Sequence, residues 1–246
     1  TGNQVELAVT AGGRKVENLR LTLTVPQEER SPGLVAVGED GKVIRKSVLT
    51  PEGLAIPLEG PARLELADRG KSFADVPAGS WAAEAAAFVS ARQLFNGTSE
   101  TAFSPNEPMT RAMAAVVLHN LENNPAHQAT ETFPDVPEGA WYAAAVAWAN
   151  GEGIVTGYAG GTFGPGDRVT REQLAVMLWR CAGSPAPQGA DLPFADAGEA
   201  GPYAREALLW AVERGILNGK GNGVLDPKGL ATRAQAARMV MKFLES

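Results

Sequence analysis

Two hydrophobic periods divide this chain. Over its first 72 residues apolar positions recur every second residue: Leu19, Leu21, Leu23 and Val25 alternate with polar neighbours in ENLRLTLTVP. GLVAVGEDGKVIRKSV holds two β-rich runs around Asp40-Gly41, a dipeptide suited to tight hairpin turns, and GLAIPLEGPARLELAD continues the alternation. A period of two places alternate side chains on opposite faces of a strand. The pattern predicts five or six short strands in a small antiparallel sandwich over 1–72, with Pro26, Pro57 and Pro61 at ends, edges or bulges, because proline cannot donate to a ladder.

From residue 73 the pattern becomes helical and repeats. FADV at Phe73, FPDV at Phe133 and FADA at Phe194 lie 60 and 61 residues apart. Trp81, Trp141 and Tyr203 each precede Gly97, Gly157 and Gly219 by 16 residues, and each glycine precedes Thr110, Thr170 and Thr232 by 13. Spacing held three times defines a tandem repeat, with units at 73–132, 133–193 and 194–246. Each unit reads as helix, loop, helix. Ala85, Ala86 and Phe88, then Ala145, Val146 and Trp148, then Ala207, Leu208 and Trp210, form the apolar stripe of a first helix. Gly153 and Gly215 suit a left-handed C-terminal cap, a place that Gln93 takes in the first unit.

The intervening loops, NGTSETAFSPNEPM, TGYAGGTFGPGDRV and NGKGNGVLDPKGLA, are expected to be pinned to the core by Phe103, Phe163 and Leu225. The second stripes run through Ala114, Val117, Leu118 and Leu121, through Leu174, Met177, Leu178 and Cys181, and through Ala236, Met239, Val240 and Phe243. Cys181 therefore reads as a small core residue. Thr170 with Gln173 and Thr232 with Gln235 fit capping boxes, which Met113 spoils after Thr110. An arginine follows each threonine: Arg111, Arg171 and Arg233. A cation in the first turn faces the positive end of the helix dipole, so each needs a negative partner.

Charge and composition narrow the chemistry. Residues 1–72 carry 10 Lys+Arg and 10 Asp+Glu, whereas 73–246 carry 12 and 18, so the whole net charge of −6 falls on the repeats. An acidic region without a basic stripe does not hold nucleic acid by counterion release. No apolar run is long enough to span a bilayer. One cysteine excludes a disulfide framework, and with only His119 and His127 a metal site is not expected, nor is a cofactor. Enzyme signatures are absent: there is no G-x-S-x-G, Walker A or H-E-x-x-H, and GKGNGV follows no strand pattern. The chain opens on Thr1 rather than Met and reads as a processed product or fragment whose targeting signal is not in view.

These repeats resemble the S-layer homology domain, a module that occurs as three tandem copies on bacterial surface proteins. The resemblance covers 73–246 and rests on the F-x-D-V starts, the aromatic entering the first helix, the glycine-bearing loop, and TRAM, TREQ and TRAQ where the family has T-R-A-E. It implies an all-α pseudo-threefold spindle with ligand grooves between copies, which behind the small N-terminal β-domain read from the alternation gives a fold of α+β multidomain class. It also implies a non-enzymatic anchor at the extracellular cell wall of a Gram-positive organism. The expected partner is an anionic secondary cell wall polysaccharide, often bearing a pyruvate ketal on a terminal N-acetylmannosamine. Neighbouring surface-layer proteins are the other partner class, and a protein-interaction or self-assembly module is the alternative reading.

A ketal-linked pyruvate is a carboxylate, which an arginine at a helix start could meet with a two-pronged donor and nearby backbone N–H groups. Arg111, Arg171 and Arg233 are thus expected to contact ligand, or else to pair with Asp75, Asp135 and Asp196 and fix the repeat geometry. Those aspartates also suit the turn before the first helix. Trp81, Trp141 and Tyr203 are candidates either to stack on a sugar ring or to pack in the core. Gly97, Gly157 and Gly219 are expected to supply a positive φ while letting backbone approach a sugar. Tyr158, which has no counterpart in the other loops, completes the candidate set.

Overall fold

The computed structural model describes residues 4–8, 10–11, 14–15, 20–27, 30–126 and 133–246, so Leu19 and His127 lie outside the described residues. Its contacts group into two compact units, Thr1–Phe103 and Ser104–Leu244.

The first unit contains strands β1 (Gln4–Leu7), β2 (Thr10–Ala11), β3 (Arg14–Lys15), β4 (Leu21–Val25), β5 (Leu34–Gly38), β6 (Val48–Thr50), β7 (Gly53–Leu58) and β8 (Ala62–Asp68), then helix α1 (Ala83–Ala91). Among the described residues eight strands replace the expected five or six, because β2 and β3 form a separate two-residue pair. The others make two three-stranded sheets, β1-β8-β5 and β4-β7-β6, in which every pairing is antiparallel. Alternation does its expected work. Leu54, Ile56 and Leu58 of one sheet meet Ala36, Leu64 and Leu66 of the other in a single buried cluster, with Leu21, Leu23 and Val25 packed against it. Asp40-Gly41 makes the tight turn, with Gly41 at φ 76. The return strand, however, is reduced to one bridge, Val37 to Val43, before the chain crosses to the second sheet. Pro57 lies in β7, the middle strand, but past the residues that β6 pairs, so it is locally at an edge.

Strand β5 breaks the alternation because it is covered on both sides: Ala36 enters the sandwich core while Val35 and Val37 cluster with Val43 and with Ala91 of α1. Arg92, at the end of α1 and fully buried, locks this contact. Its guanidinium donates to the carbonyls of Ser47 at 3.0 and 2.7 Å, Pro32 at 3.0 Å, Leu34 at 3.1 Å and Phe88 at 3.1 Å, and lies 3.5 Å from the Phe88 ring centroid. Burial pushes its pKa down to about 9, which leaves it charged at neutral pH. The charge boundary at residue 72 therefore falls inside this unit.

The second unit holds α2 (Arg111–Leu121), α3 (Ala143–Gly151), α4 (Arg171–Cys181), two short 3₁₀ turns at Ala197–Glu199 and Pro202–Ala204, α5 (Arg205–Glu213) and α6 (Arg233–Glu245). Both sets of apolar stripes are buried, except that Cys181 and Phe243 at the helix ends are half-buried. Fully buried residues such as Leu118, Leu178 and Leu208 each contribute about 1.5–3 kcal/mol by leaving water. Cys181 Sγ lies 3.9 Å from Glu122 Oε1, so it sits at the margin of the core rather than within it. Gly153 and Gly215 (φ 69 and 67) adopt the left-handed caps, as does Gln93 (φ 55) in the first unit. α2 packs on α3 and α4 on α5, so the second helix of one repeat pairs with the first helix of the next.

Three backbone hydrogen bonds close a ring: Met109 N–H to Ala231 O, Ala231 N–H to Val169 O, and Val169 N–H to Met109 O, each 2.9 Å. Each member immediately precedes a capping threonine. His119 resembles its repeat counterpart Trp179, since His119 Nε2 meets Pro125 O at 3.1 Å and Trp179 Nε1 donates to Pro185 O at 2.8 Å, which ties down the chain after each helix. Among the described residues no helix is long and apolar enough to cross a membrane, and no cluster of His, Cys, Asp or Glu could hold a metal ion.

Candidate functional site

Each second helix begins as its sequence dictates. Thr110, Thr170 and Thr232 are extended, and their side chains accept the N–H of Met113, Gln173 and Gln235; both glutamines return the bond, and Met113 cannot. The next partners are tertiary. Arg111 and Ala112 N–H donate to Asp167 and Pro165 carbonyls, Arg171 and Glu172 to Gly229 and Pro227, and Arg233 and Ala234 to Glu107 and Pro105. The first three amides of every second helix are therefore spent on protein oxygens. Carbonyls of another repeat's loop meet the positive end of the dipole, and the backbone donors expected to await an anion are already engaged.

The arginine side chains reach into the same loops. Arg111 donates from Nε to Phe163 O and from Nη2 to Thr156 O, both at 2.8 Å, with its guanidinium carbon 4.7 Å from the Phe163 ring centroid and 4.8 Å from that of Tyr158. Arg171 donates to Leu225 O at 3.0 Å and Asn218 O at 2.6 Å. It is 4% exposed; burial lowers its pKa, and the charges of Asp226 and Asp196 oppose that shift. Arg233 is equally sequestered at 7% exposure.

The aspartates hydrogen-bond the loops, and Asp135 and Asp196 also interact electrostatically with Arg111 and Arg171. Asp135 accepts Phe163 and Gly164 N–H, both at 2.7 Å, and Asp196 accepts Leu225 N–H at 2.8 Å and Asp226 N–H at 2.7 Å. Asp75 accepts Phe103 N–H at 2.8 Å. Phe163 and Leu225 are thus held twice, by a carboxylate at the N–H and by a guanidinium from the preceding repeat at the C=O. Sequence reasoning placed these aspartates at the turn before the first helix; the structure adds the long-range clip. Burial works against the ionised form of Asp135, but its two backbone donors and Arg111 outweigh it and hold the pKa below the usual value. For Asp196 the Leu225 amide is the leading cause of the same shift.

Gly97, Gly157 and Gly219 correct an expectation, for none has a positive φ. A Cβ would lie 2.9 Å from Phe73 Cε1, 2.5 Å from Phe133 Cε1 and 2.7 Å from Phe194 Cε1. The opening phenylalanine of each repeat rests on its glycine, so close approach rather than backbone freedom requires the residue.

A groove of about 180 Å³ opens beside α4, lined by Arg111, Thr156, Tyr158, Met177, Arg180 and Tyr203 among others. These come from all three repeats. Arg111 comes from the first, the 154–158 loop and α4 from the second, and Tyr203 from the third. Gly157 also lines it. The remaining expected site residues, Arg171, Arg233, Asp75, Asp135, Asp196, Trp81, Trp141, Gly97 and Gly219, are not part of its lining. Trp81, Trp141 and Tyr203 are nonetheless 54, 66 and 54% exposed, which removes them from the core. Tyr158 gains importance from the structure: it stands against Arg111, and burial followed by its bond to Asp167 raises its pKa.

Sequence reasoning missed Arg180, whose Nη1 lies 3.4 Å from Ile154 O in the groove. Its signal was a polar position shared with Asn120 and Lys242 near the end of an apolar stripe. It also missed Glu172, a carboxylate 2% exposed where the other repeats carry Ala112 and Ala234. Two guanidinium groups beside two tyrosines can receive an anionic group and present aromatic surface to a sugar ring.

A family model described as S-layer homology domain matches residues 72–115, 132–175 and 193–237. An amylopullulanase of Thermoanaerobacterium thermosulfurigenes is 31% identical over 179 residues, 71% of this chain and 10% of that protein. An S-layer protein of Bacillus thuringiensis subsp. finitimus is 29% identical over 185 residues, 72% of the chain and 22% of the relative. A cellulosome-anchoring protein of Acetivibrio thermocellus is 26% identical over 149 residues, 58% of the chain and 33% of the relative. The chain thus spans a tenth to a third of the length of these relatives.

Proposed function

This chain belongs to the S-layer homology domain family, and from that premise we propose that it anchors its parent protein non-covalently at the outer cell wall by binding an anionic, pyruvylated secondary cell wall polysaccharide. The observation that carries this reading is the groove at α4, where three repeats bring Arg111 and Arg180 beside Tyr158 and Tyr203. Arg111 spends Nε and Nη2 on loop carbonyls, and among the described residues its Nη1 has no hydrogen-bond partner. A carboxylate there would gain a charge-assisted bond of about 1.5–3 kcal/mol.

Relatives with unlike names, an amylopullulanase, an S-layer protein and an anchoring protein, resemble this chain over a minor part of their own length. A segment common to such different proteins serves attachment rather than catalysis. The ring through Met109, Val169 and Ala231 supports the pseudo-threefold spindle. The test is calorimetric titration of the chain with a wall oligosaccharide before and after chemical removal of pyruvate, repeated with Arg180→Ala. Binding should fall at least tenfold in both comparisons. Equal affinity for the stripped sugar would overturn the anion reading. Capture of other surface proteins without any polymer affinity would replace it with a protein-interaction module.

A further inference from the structure

Three departures from the repeat pattern, far apart in sequence, meet at one carboxylate. Repeat two has Glu172 where its sisters have Ala112 and Ala234; repeat three has Tyr203 where they have Trp81 and Trp141; and repeat three has Lys228 where they have Asn106 and Gly166. In the folded chain Glu172 Oε1 accepts the Tyr203 hydroxyl at 2.7 Å and Lys228 Nζ at 2.6 Å, while Oε2 accepts Gly201 N–H at 2.9 Å. Departures that coincide in space compensate one another.

We propose that Glu172 is a positioning residue for the α4 groove, which with Lys228 fixes Tyr203 as its aromatic wall and sets this site apart from the corresponding positions of the sister repeats. The inference rests on the reading of the groove as a site for an acidic sugar. A carboxylate this deeply buried needs full compensation, and its two cross-repeat donors and one charge partner supply it. Lys228 also lies 6.0 Å from the Tyr203 ring centroid. Because the phenol hydroxyl is consumed by Glu172, Tyr203 offers the groove its ring and not a polar tip. Burial, followed by the bond to Glu172, raises the phenol pKa and keeps that hydroxyl a donor. With Glu172 and Lys228 neutralising each other, the cations left on the lining are Arg111 and Arg180. The acidic group of the ligand then faces these arginines while an apolar sugar face lies against Tyr203.

The chain has three tyrosines, Tyr142, Tyr158 and Tyr203, so incorporation of 3-fluorotyrosine gives a site-resolved ¹⁹F readout, assigned with Tyr203→Phe. The chain of residues 1–246 is titrated with an oligosaccharide cut from pyruvylated wall polymer. In the parent the Tyr203 resonance should shift on binding. In Glu172→Gln that shift should be lost or its midpoint raised at least fivefold. The double variant Glu172→Ala/Tyr203→Trp, which restores the alanine and tryptophan of the sister repeats, should recover calorimetric affinity relative to Glu172→Ala. A parent that binds with a Tyr203 shift unchanged by Glu172→Gln, or a double variant no better than Glu172→Ala, overturns the positioning role alone. A parent that ignores the oligosaccharide overturns the polysaccharide reading itself.

Discussion

Arg171 and Arg111 occupy the same place in the repeat and make the same pair of bonds, yet they should differ in what their removal costs. Arg171 is 4% exposed and donates to Leu225 O at 3.0 Å and Asn218 O at 2.6 Å. Hydrogen bonds from a charged donor contribute about 1.5–3 kcal/mol each, so the gross loss in Arg171→Ala is about 3–6 kcal/mol. Two effects offset it. The variant no longer desolvates a guanidinium, and water can reach the exposed Asn218. The expected net destabilisation is about 2–4 kcal/mol. Arg111 is only half-buried and its second acceptor, Thr156, is exposed, so Arg111→Ala should cost about 1–2 kcal/mol. Urea unfolding followed by tryptophan fluorescence reads both numbers. Arg171→Lys should recover less than half the loss, because an ammonium cannot reproduce the forked donor that spans two carbonyls. Equal losses for the two alanine variants, or a loss below about 1 kcal/mol for Arg171→Ala, would refute the view that burial of the clasp sets its strength.

Two further outcomes follow from the same structure. Arg92→Ala should destabilise the first unit by about 3–5 kcal/mol, since it strands the buried Ser47 carbonyl and the half-buried carbonyls of Pro32 and Leu34; hydrogen exchange of Val35–Val37 should accelerate accordingly, and unchanged exchange there would contradict the lock. Asp196 has a folded pKa held below its ordinary 3.8, first by the Leu225 amide, so it stabilises above the unfolded value and that contribution is lost as pH falls through the folded one. The stability gap between parent and Asp196→Asn should therefore narrow below about pH 4, and a gap constant down to about pH 2 would show that the carboxylate charge is not involved.

Sequence alone determined the repeat, its register, the two helices of each unit and their caps, because these follow from local spacing. Apolar stripes at helical period must be buried somewhere, and a threonine three residues before glutamine satisfies its own helix start wherever that helix lies. The strands of 1–72 were legible for the same reason. Tertiary structure alone decided what the polar residues touch. Arg111 and Arg171 answer to carbonyls 45 to 54 residues away, Arg92 reaches back as far as Pro32, and Glu172 finds Tyr203 and Lys228 across a repeat boundary. Glycine at 157 is required by a phenylalanine ring 24 positions earlier, a steric demand that no turn propensity encodes. Such partners are chosen by how one repeat's loop seats on the next repeat's helix start. A period in sequence reports which face of an element is buried, but it carries no information about which neighbour covers that face.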